Sequence, residues 1–535
     1  MTGDGGLLVA QVLKAQGVDA LFTLCGEHIL PIYEGCAQEG ITLIDTRHEA
    51  AAAHAADAYA RLSRNAGVCA VTSGPGVTNA LTGVANAFFA KSPLVCLGGA
   101  APLQTAGQGA LQEMDQISLF RPITKWTGIA YETRQIPRVL AHAIRVALTP
   151  PLGPVYVELP MDVLFGEADV PLPKAVASPY ALLPEPQAIE RLAALLEKSQ
   201  RPVLLCGGEV YWDKAQAALQ RAIERHGIPT FLNGLARGML AADHRLFFNL
   251  CRKKAFAGAD LIIIAGTPLD FRLKYGEAIP EGVPWVMISH DPTLLGQNRD
   301  PDEGISGNHR LIFERFSDLP CREEHLPWQN HLRGEEEKLL ALEAEQAKKA
   351  HVPMSSYAFL DALDGALQKE DILIADGGEI VTLAAKRIRL YHEGHWLDPG
   401  PMGCLGVGAP FALAAKWLHP QKNVLILFGD GSFGFNGLEF DTALRFNLPF
   451  VGIVANDAQW SQILLPQVRR TGRALATKLL PTRYDRIIQG LGGHGEQVEQ
   501  PQDLKPAIER AKACGKPALI NVPIDPSTCR ENGSR

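Results

Sequence analysis

Asp430 and Asp457 stand 27 positions apart, each at the end of an apolar run of strand character, and Asp430 opens the turn Gly429-Asp430-Gly431-Ser432. Carboxylates are hard oxygen donors. They suit Mg²⁺, which keeps one or two protein carboxylates and completes its octahedron with phosphate and water. Where the Gly-rich turn enters a helix, the backbone amides of Gly431 and Ser432 would cradle that phosphate. A Gly-Asp-Gly turn also occurs on many surfaces, so GDGS by itself specifies little. A third acid, Glu49, follows the strand-like ITLID and opens the Ala-rich pattern EAAAAHAADAYAR. Two readings of it stay open, an acid that merely compensates a helix dipole and a carboxyl presented for chemistry. His28, after a Cys-Gly-Glu turn, is either a satisfied loop imidazole or an acid/base group, since imidazole protonates nearest neutrality.

Residues so far apart in sequence meet only if a scaffold gathers them. The chain alternates apolar runs with helical patterns in three blocks, which predicts an α/β protein of three Rossmann-like domains around central, mostly parallel sheets. In such sheets the carboxyl edge collects ligands. The first block covers 1–165, with strand-like runs at Val68–Thr72, Leu94–Leu97 and Val155–Leu159. A connector, VPLPKAVASPYALLPEPQ, is too rich in Pro for regular structure and suits a semi-rigid linker. The second block, 187–330, carries RPVLLCGGEVY, ADLIIIAGTPLDF and PWVMISHDP without a G-x-G-x-x-G signature. Its segments GTPLDFRLKYGE and NGLARGML either serve a nucleotide or simply fold. The mixed-charge stretch RGEEEKLLALEAEQAKKA reads as a solvated helix. The third block, 353–535, has strands at ILIAD, VLILF, FVGIVA and ALINVP. No short sequence repeat is present.

Lys plus Arg number 51 against 58 Asp plus Glu, a net charge of −7. That balance predicts no nucleic-acid or anionic-membrane partner and points to small-molecule substrates. No run approaches the ~18 apolar residues of a spanning helix, and the first residues lack the pattern of a secretory signal. The ten cysteines are scattered without a C-x-x-C pair. Reduced packing thiols, and hence a cytoplasmic location, are expected.

Read in order, the acid after the second strand, the turn SGPG, and the distant GDGS with its acidic partner resemble the thiamine diphosphate-dependent enzymes of the acetolactate-synthase type. The likeness spans essentially the whole chain. Its nearest form is the acetolactate-synthase-like 2-hydroxyacyl-CoA lyases, with similarity also to benzaldehyde lyase. The runs FTLCGEHILPIYE, DTRHEAAAAHAADAYARLS, GALQEMDQISLFRPITKW, WLDPGPMGCLGVGAPFALAAK and GDGSFGFNGLEFD carry it. The resemblance implies pyrimidine-binding, middle and pyrophosphate domains in that order, with thiamine diphosphate and Mg²⁺ as cofactors. It assigns Glu49 to the aminopyrimidine nitrogen, where a carboxyl favours the tautomer that deprotonates the thiazolium carbon. Gly403 would accept the amino group through its carbonyl, and Leu405 would prop the cofactor in its bent form, a proximity effect. Asp430, Asp457 and the carbonyl of Gln459 match the metal ligands, and Gly378 a pyrophosphate-contacting turn. The family usually has Asn at the place of Asp457, a mild departure, since either side chain offers an oxygen.

His28 bears on the reaction. Acetolactate synthases generally carry a small residue there, whereas the hydroxyacyl-CoA lyases and benzaldehyde lyase have His. The resemblance therefore implies an acid/base beside the reacting carbon, with Gln112 facing the same adduct. Trp460 and Ile463 either line the acyl pocket or pack the core. The implied activity is carbon–carbon cleavage of a 2-hydroxyacyl-CoA to formyl-CoA and a shortened aldehyde, reversible as an acyloin-type condensation. An acetolactate-synthase-like pyruvate carboligase, a benzaldehyde-lyase-like acyloin lyase and a non-catalytic protein of the same fold are the alternatives. Because family sites assemble across subunits, a homo-oligomer, dimer or tetramer, is expected.

Overall fold

A computed structural model describes residues 2–171, 173–176, 181–320, 325–349 and 351–528. Each domain is built on one parallel sheet whose central strands are near-continuous apolar runs, as strands covered on both faces must be. In the first domain the spatial order is Thr42–Asp45, Ala20–Thr23, Gly67–Val71, Leu94–Ala100, Val155–Pro160 and Trp126–Ile129. In the third it is Trp396–Leu397, Ile372–Asp376, Val424–Gly429, Val451–Asn456, Ala518–Pro523 and His494–Gln497. Numbered within its own domain, each sheet runs 2-1-3-4-6-5. The two outer domains thus share one topology although their sequences show no repeat. The central sheet, Thr230–Leu232, Pro202–Cys206, Leu261–Ala265, Trp285–Ser289 and Glu303–Ser306, has the order 2-1-3-4-5. In all three the order reverses between the first and third strands, and ligands gather outside that switch point.

The apolar runs named from sequence all become strands. Ala20–Thr23, Thr230–Leu232, Glu303–Ser306, Trp126–Ile129, Trp396–Leu397 and His494–Gln497 were not anticipated. The last three lie at sheet edges, and none of the six is longer than four residues, so none carries a long apolar run. A further antiparallel pair, Thr2↔Asp169 in register, joins the chain start to the end of the first domain. Residues 333–348 of the mixed-charge stretch lie in a 23-residue helix, Leu326–Lys348, and residue 350 lies outside the described residues. That helix is mostly solvated, but its buried Glu336 accepts the amides of Asn249, Leu250 and Cys251 at 2.8–3.0 Å. Part of the Pro-rich connector, residues 172 and 177–180, lies outside the described residues, and its described part has neither helix nor strand before Pro186. No described helix is long and apolar enough to cross a membrane.

The outer domains meet through the helices Glu49–Ser63 and Gly408–Leu418, which are lined by buried alanines such as Ala52, Ala56, Ala412 and Ala415. Small side chains let the two backbones approach. Fully buried Arg61 pairs with Asp57 at 2.7 Å, and Asn86 donates to the same carboxylate at 3.0 Å. Arg61 also donates to the carbonyl of Asp398 at 2.6 Å, tying the first domain to the third. Breaking such a buried pair from one side typically costs about 3–5 kcal/mol.

Candidate active site

The strand Val424–Gly429 ends directly in the short helix Asp430–Asn436. Gly429 takes an extended conformation at that helix's start, which leaves Asp430 at the sheet edge, 3% exposed. One oxygen of Asp430 accepts the Gly431 amide at 2.8 Å. The other, Oδ2, is buried with no hydrogen-bond partner. The neighbouring strand Val451–Asn456 delivers Asp457, whose carboxylate accepts the Ser461 hydroxyl. Burial and the charge of Asp457 push the Asp430 carboxyl up to about 7, against the pull of the Gly431, Ala458 and Gln459 amides. A buried carboxylate with an unpartnered oxygen, set beside a second, half-buried one, is a cation-shaped need. The side chain of Gln459 is committed elsewhere, donating to Ser461 at 2.8 Å and accepting Lys478 at 2.6 Å. Only the main chain of that residue remains to serve as a ligand.

These groups open on a cavity of about 610 Å³. Its wall contains every third-domain residue singled out from sequence: Gly378, Gly403, Leu405, Asp430, Gly431, Ser432, Asp457, Gln459, Trp460 and Ile463. Trp460 packs over the turn, where a Cβ on Gly431 would lie 2.4 Å from the indole, so only glycine fits beneath it. Ile463 is 57% exposed at the mouth, which removes the core-packing reading for that residue. Ser432 is held by hydroxyl bonds to the carbonyls of Asp376 and Gly429 at 2.6 and 2.8 Å. The segments GTPLDFR and NGLARG also reach the wall, through Thr267, Phe271 and Arg272 and through Asn233 and Arg237, joined by Lys91 of the first domain.

Sequence reasoning overlooked Asp376. It is fully buried at the end of the strand Ile372–Asp376, and its two oxygens accept the amides of Gly406 and Gly408 at 3.0 and 2.8 Å. Burial raises its carboxyl to about 6. The residue thereby sets the loop that presents Gly403 and Leu405. An acid closing the otherwise apolar run ILIA, just before Gly-Gly, was the available signal.

The first domain carries a second constellation at its own switch point. The helix Glu49–Ser63 starts where the imidazole of His48 accepts the Ala50 amide at 3.1 Å. Glu49 is thereby placed at the sheet edge, 7% exposed, where it accepts the Asn79 side-chain amide at 2.9 Å. His28 Nδ1 lies 3.2 Å from the Thr72 hydroxyl. Thr72 bridges the two: a Cβ on Gly76 would lie 2.9 Å from its methyl and 3.4 Å from Glu49 Oε1. Gln112, half-buried with φ +60°, accepts the Ser73 hydroxyl through its carbonyl at 2.9 Å. Gln116, in the same ALQEMDQ run, was not singled out from sequence, yet it locks the SGPG turn. Buried, it accepts the Gly74 amide at 2.8 Å and donates to the Gly99 carbonyl and Glu158 at 3.0 Å. His28 and Glu49 come together about Thr72, Gln112 is tied by its backbone to the adjoining SGPG turn, and none of the three lines the carboxylate cavity of the same chain.

Comparison with known proteins agrees with this geometry. The family models described as thiamine pyrophosphate enzyme, N-terminal TPP binding domain, central domain and C-terminal TPP binding domain match residues 3–119, 189–316 and 376–522. A probable acetolactate synthase of Mycobacterium bovis is 38% identical over 98% of this chain and 96% of its own length. The 2-hydroxyacyl-CoA lyase 2 of Caenorhabditis elegans is 37% identical over 98% of this chain and 90% of its own, and that of Homo sapiens 36% over 98% and 91%. With two nucleotide-fold domains of one topology and the cofactor-binding domains matched at both ends, the chain belongs to the thiamine pyrophosphate enzymes, in the family of the acetolactate synthases and 2-hydroxyacyl-CoA lyases.

Proposed function

We propose that the protein cleaves the bond between the carbonyl and hydroxyl-bearing carbons of a 2-hydroxyacyl-CoA, giving formyl-CoA and an aldehyde one carbon shorter, and catalyses the reverse condensation. Thiamine diphosphate and Mg²⁺ are the cofactors of this reading. The residues present fit them: the unpartnered Oδ2 of Asp430 beside Asp457 is an all-oxygen donor set of the kind Mg²⁺ takes. Asp430, Asp457 and the Gln459 carbonyl would hold the ion, and Gly378, Gly431 and Ser432 the diphosphate. Gly403 and Leu405 would hold the pyrimidine end, with Glu49 supplied by a second copy of the chain. When bound, thiamine diphosphate supplies a thiazolium carbon that serves as nucleophile and electron sink.

The observation that carries the lyase reading is His28. Its Nδ1 is engaged by Thr72 at 3.2 Å beside Glu49, which leaves Nε2 to take the substrate hydroxyl proton as the carbon–carbon bond opens and to return one afterwards. Gln112, which matches a residue that faces the adduct in the family, would donate to the developing oxyanion. Arg237 on the cavity wall offers positive charge to a phosphate-bearing acyl carrier, beside Lys91 and Arg272, which are paired with Asp291 and Asp270. The relatives named 2-hydroxyacyl-CoA lyase 2 support this substrate class; the mycobacterial relative favours a second reading, condensation of pyruvate.

Incubating the holoenzyme with a panel of 2-hydroxyacyl-CoAs, free acyloins and pyruvate, with products identified by mass, decides between them. Formyl-CoA with the shortened aldehyde is expected; carbon dioxide and acetolactate from pyruvate alone would overturn the lyase assignment. Changing His28 to Ala is expected to lower lyase turnover by ~10²-fold or more while cofactor affinity stays near wild type. Equal losses in both would assign the imidazole to structure.

Mg²⁺ binding is expected to depend on pH through Asp430. Its folded-state carboxyl is raised to about 7, so the unliganded fold keeps a proton there below that pH, and the stabilisation linked to that proton is lost as pH rises through it. The ion binds the ionised form. Affinity should therefore fall by roughly tenfold per pH unit below about 7, with a proton released on binding. Calorimetry in buffers of different ionisation enthalpy measures this, and a flat profile would contradict it.

A further inference from the structure

A second cluster, in the central domain, takes no part in the reaction proposed above and stands independently of it. Glu209 lies on the short helix Gly208–Trp212, and Asp213 follows it. His290 follows the strand Trp285–Ser289, and His309 opens the helix His309–Ser317. The four side chains are 0–6% exposed. His290 Nε2 lies 3.7 Å from Glu209 Oε1, and His309 Nε2 lies 3.8 Å from Glu209 Oε2. Both distances are too long for hydrogen bonds. They are near the separation of two ligands on one ion, since Zn–N and Zn–O bonds of ~2.0–2.2 Å in a tetrahedron place the ligand atoms about 3.3–3.6 Å apart. One ligand atom from each of Glu209, His290 and His309 lies within 4.8 Å of the others.

Two further observations point the same way. The Nε2 of His290 is buried with no hydrogen-bond partner. On the far side, Asp213 takes both Nδ1 atoms, at 3.4 Å from His290 and 2.7 Å from His309, the outer-carboxylate arrangement that orients metal-ligating imidazoles. Glu209 is itself oriented, since its Oε2 accepts the Ser289 hydroxyl at 2.8 Å and the His290 amide at 3.1 Å. The Ile288 carbonyl, 3.3 Å from His309 Nε2, competes for that nitrogen. Two carboxylates with two neutral imidazoles carry a charge of −2, which one divalent cation balances. Glu209 also lines the cavity described above, so the cluster lies against its wall.

We propose that Glu209, His290 and His309 bind a divalent transition ion of the Zn²⁺ class, with Asp213 as the positioning carboxylate. Imidazole donors select this class over Mg²⁺, which belongs to the all-oxygen pair of Asp430 and Asp457.

The test uses the full chain, stripped with a chelator and titrated with Zn²⁺ in excess Mg²⁺. One Zn²⁺ per chain is expected by calorimetry, with a rise in Tm that grows with free Zn²⁺. Co²⁺ in its place should give the intense visible bands of tetrahedral coordination. Asp430→Ala should bind Zn²⁺ as wild type does, Asp213→Asn about 10–100-fold more weakly, and Glu209→Gln and His290→Gln more weakly still. Wild-type protein without a Tm rise and without tetrahedral Co²⁺ bands would overturn the site, whatever the variants do. So would unchanged binding by His290→Gln. Either result would make the cluster a buried ion-pair network balanced by two imidazolium ions.

Discussion

Replacing Glu49 by Gln is expected to lower turnover by at least ~10²-fold at saturating thiamine diphosphate, the lower range for a positioned acid/base group. The substitution keeps shape and burial. An amide at this position can still accept the Asn79 side chain that now lies 2.9 Å from the carboxylate, so the helix Glu49–Ser63 and its packing are left in place. What is lost is the acid alone. Steady-state kinetics with the cofactor in excess, set beside a melting curve, separates the two effects. A near-normal rate would sink the assignment of Glu49 to the pyrimidine, and with it the first-domain half of the site.

The second large effect belongs to Asp430. Asp430→Ala is expected to abolish Mg²⁺-dependent binding of thiamine diphosphate, seen as the loss of calorimetric heat that in wild type is present with Mg²⁺ and absent with EDTA. The residue presents the buried oxygen that has no protein partner, and Asp457 is already engaged by Ser461. Asp457 alone would then be left of the carboxylate pair. The two inactive variants also test where the site lies. Because Glu49 does not line the cavity formed by Asp430 in its own chain, a mixed dimer of Glu49→Gln with Asp430→Ala holds one intact site. Equal mixing should then recover about a quarter of wild-type activity, half the dimers being mixed with one working site of two. Mixtures no more active than their parts would place the whole site within one chain.

Much of this was legible without coordinates. The long apolar runs announced their strands because a parallel strand covered on both faces has no polar side to show. The GDGS turn and its acidic partner pointed to a hard cation because carboxylates at strand ends can do little else in such company. Asp376 and Gln116 were missed for a common reason. Each acts through main-chain amides, of Gly406 and Gly408 in one case and of Gly74 in the other. Main-chain partners carry no side-chain signature. The central cluster was equally silent, since Glu209, Asp213, His290 and His309 obey no local ligand spacing and meet only when strands and helices about 80–100 residues apart are stacked by the sheet.

The order of residues along the chain by itself determined the three α/β domains, the resemblance, and the chemical type of each site residue, because hydrophobic period, turn glycines and ionisable groups are properties of short segments. The division of labour between the two edges was decided only in three dimensions. One edge buries Asp430 beside Asp457 and raises its carboxyl; the other gathers His28, Thr72 and Glu49 outside that cavity. Burial and proximity depend on how sheets pack, and packing is a sum over contacts between segments far apart in sequence.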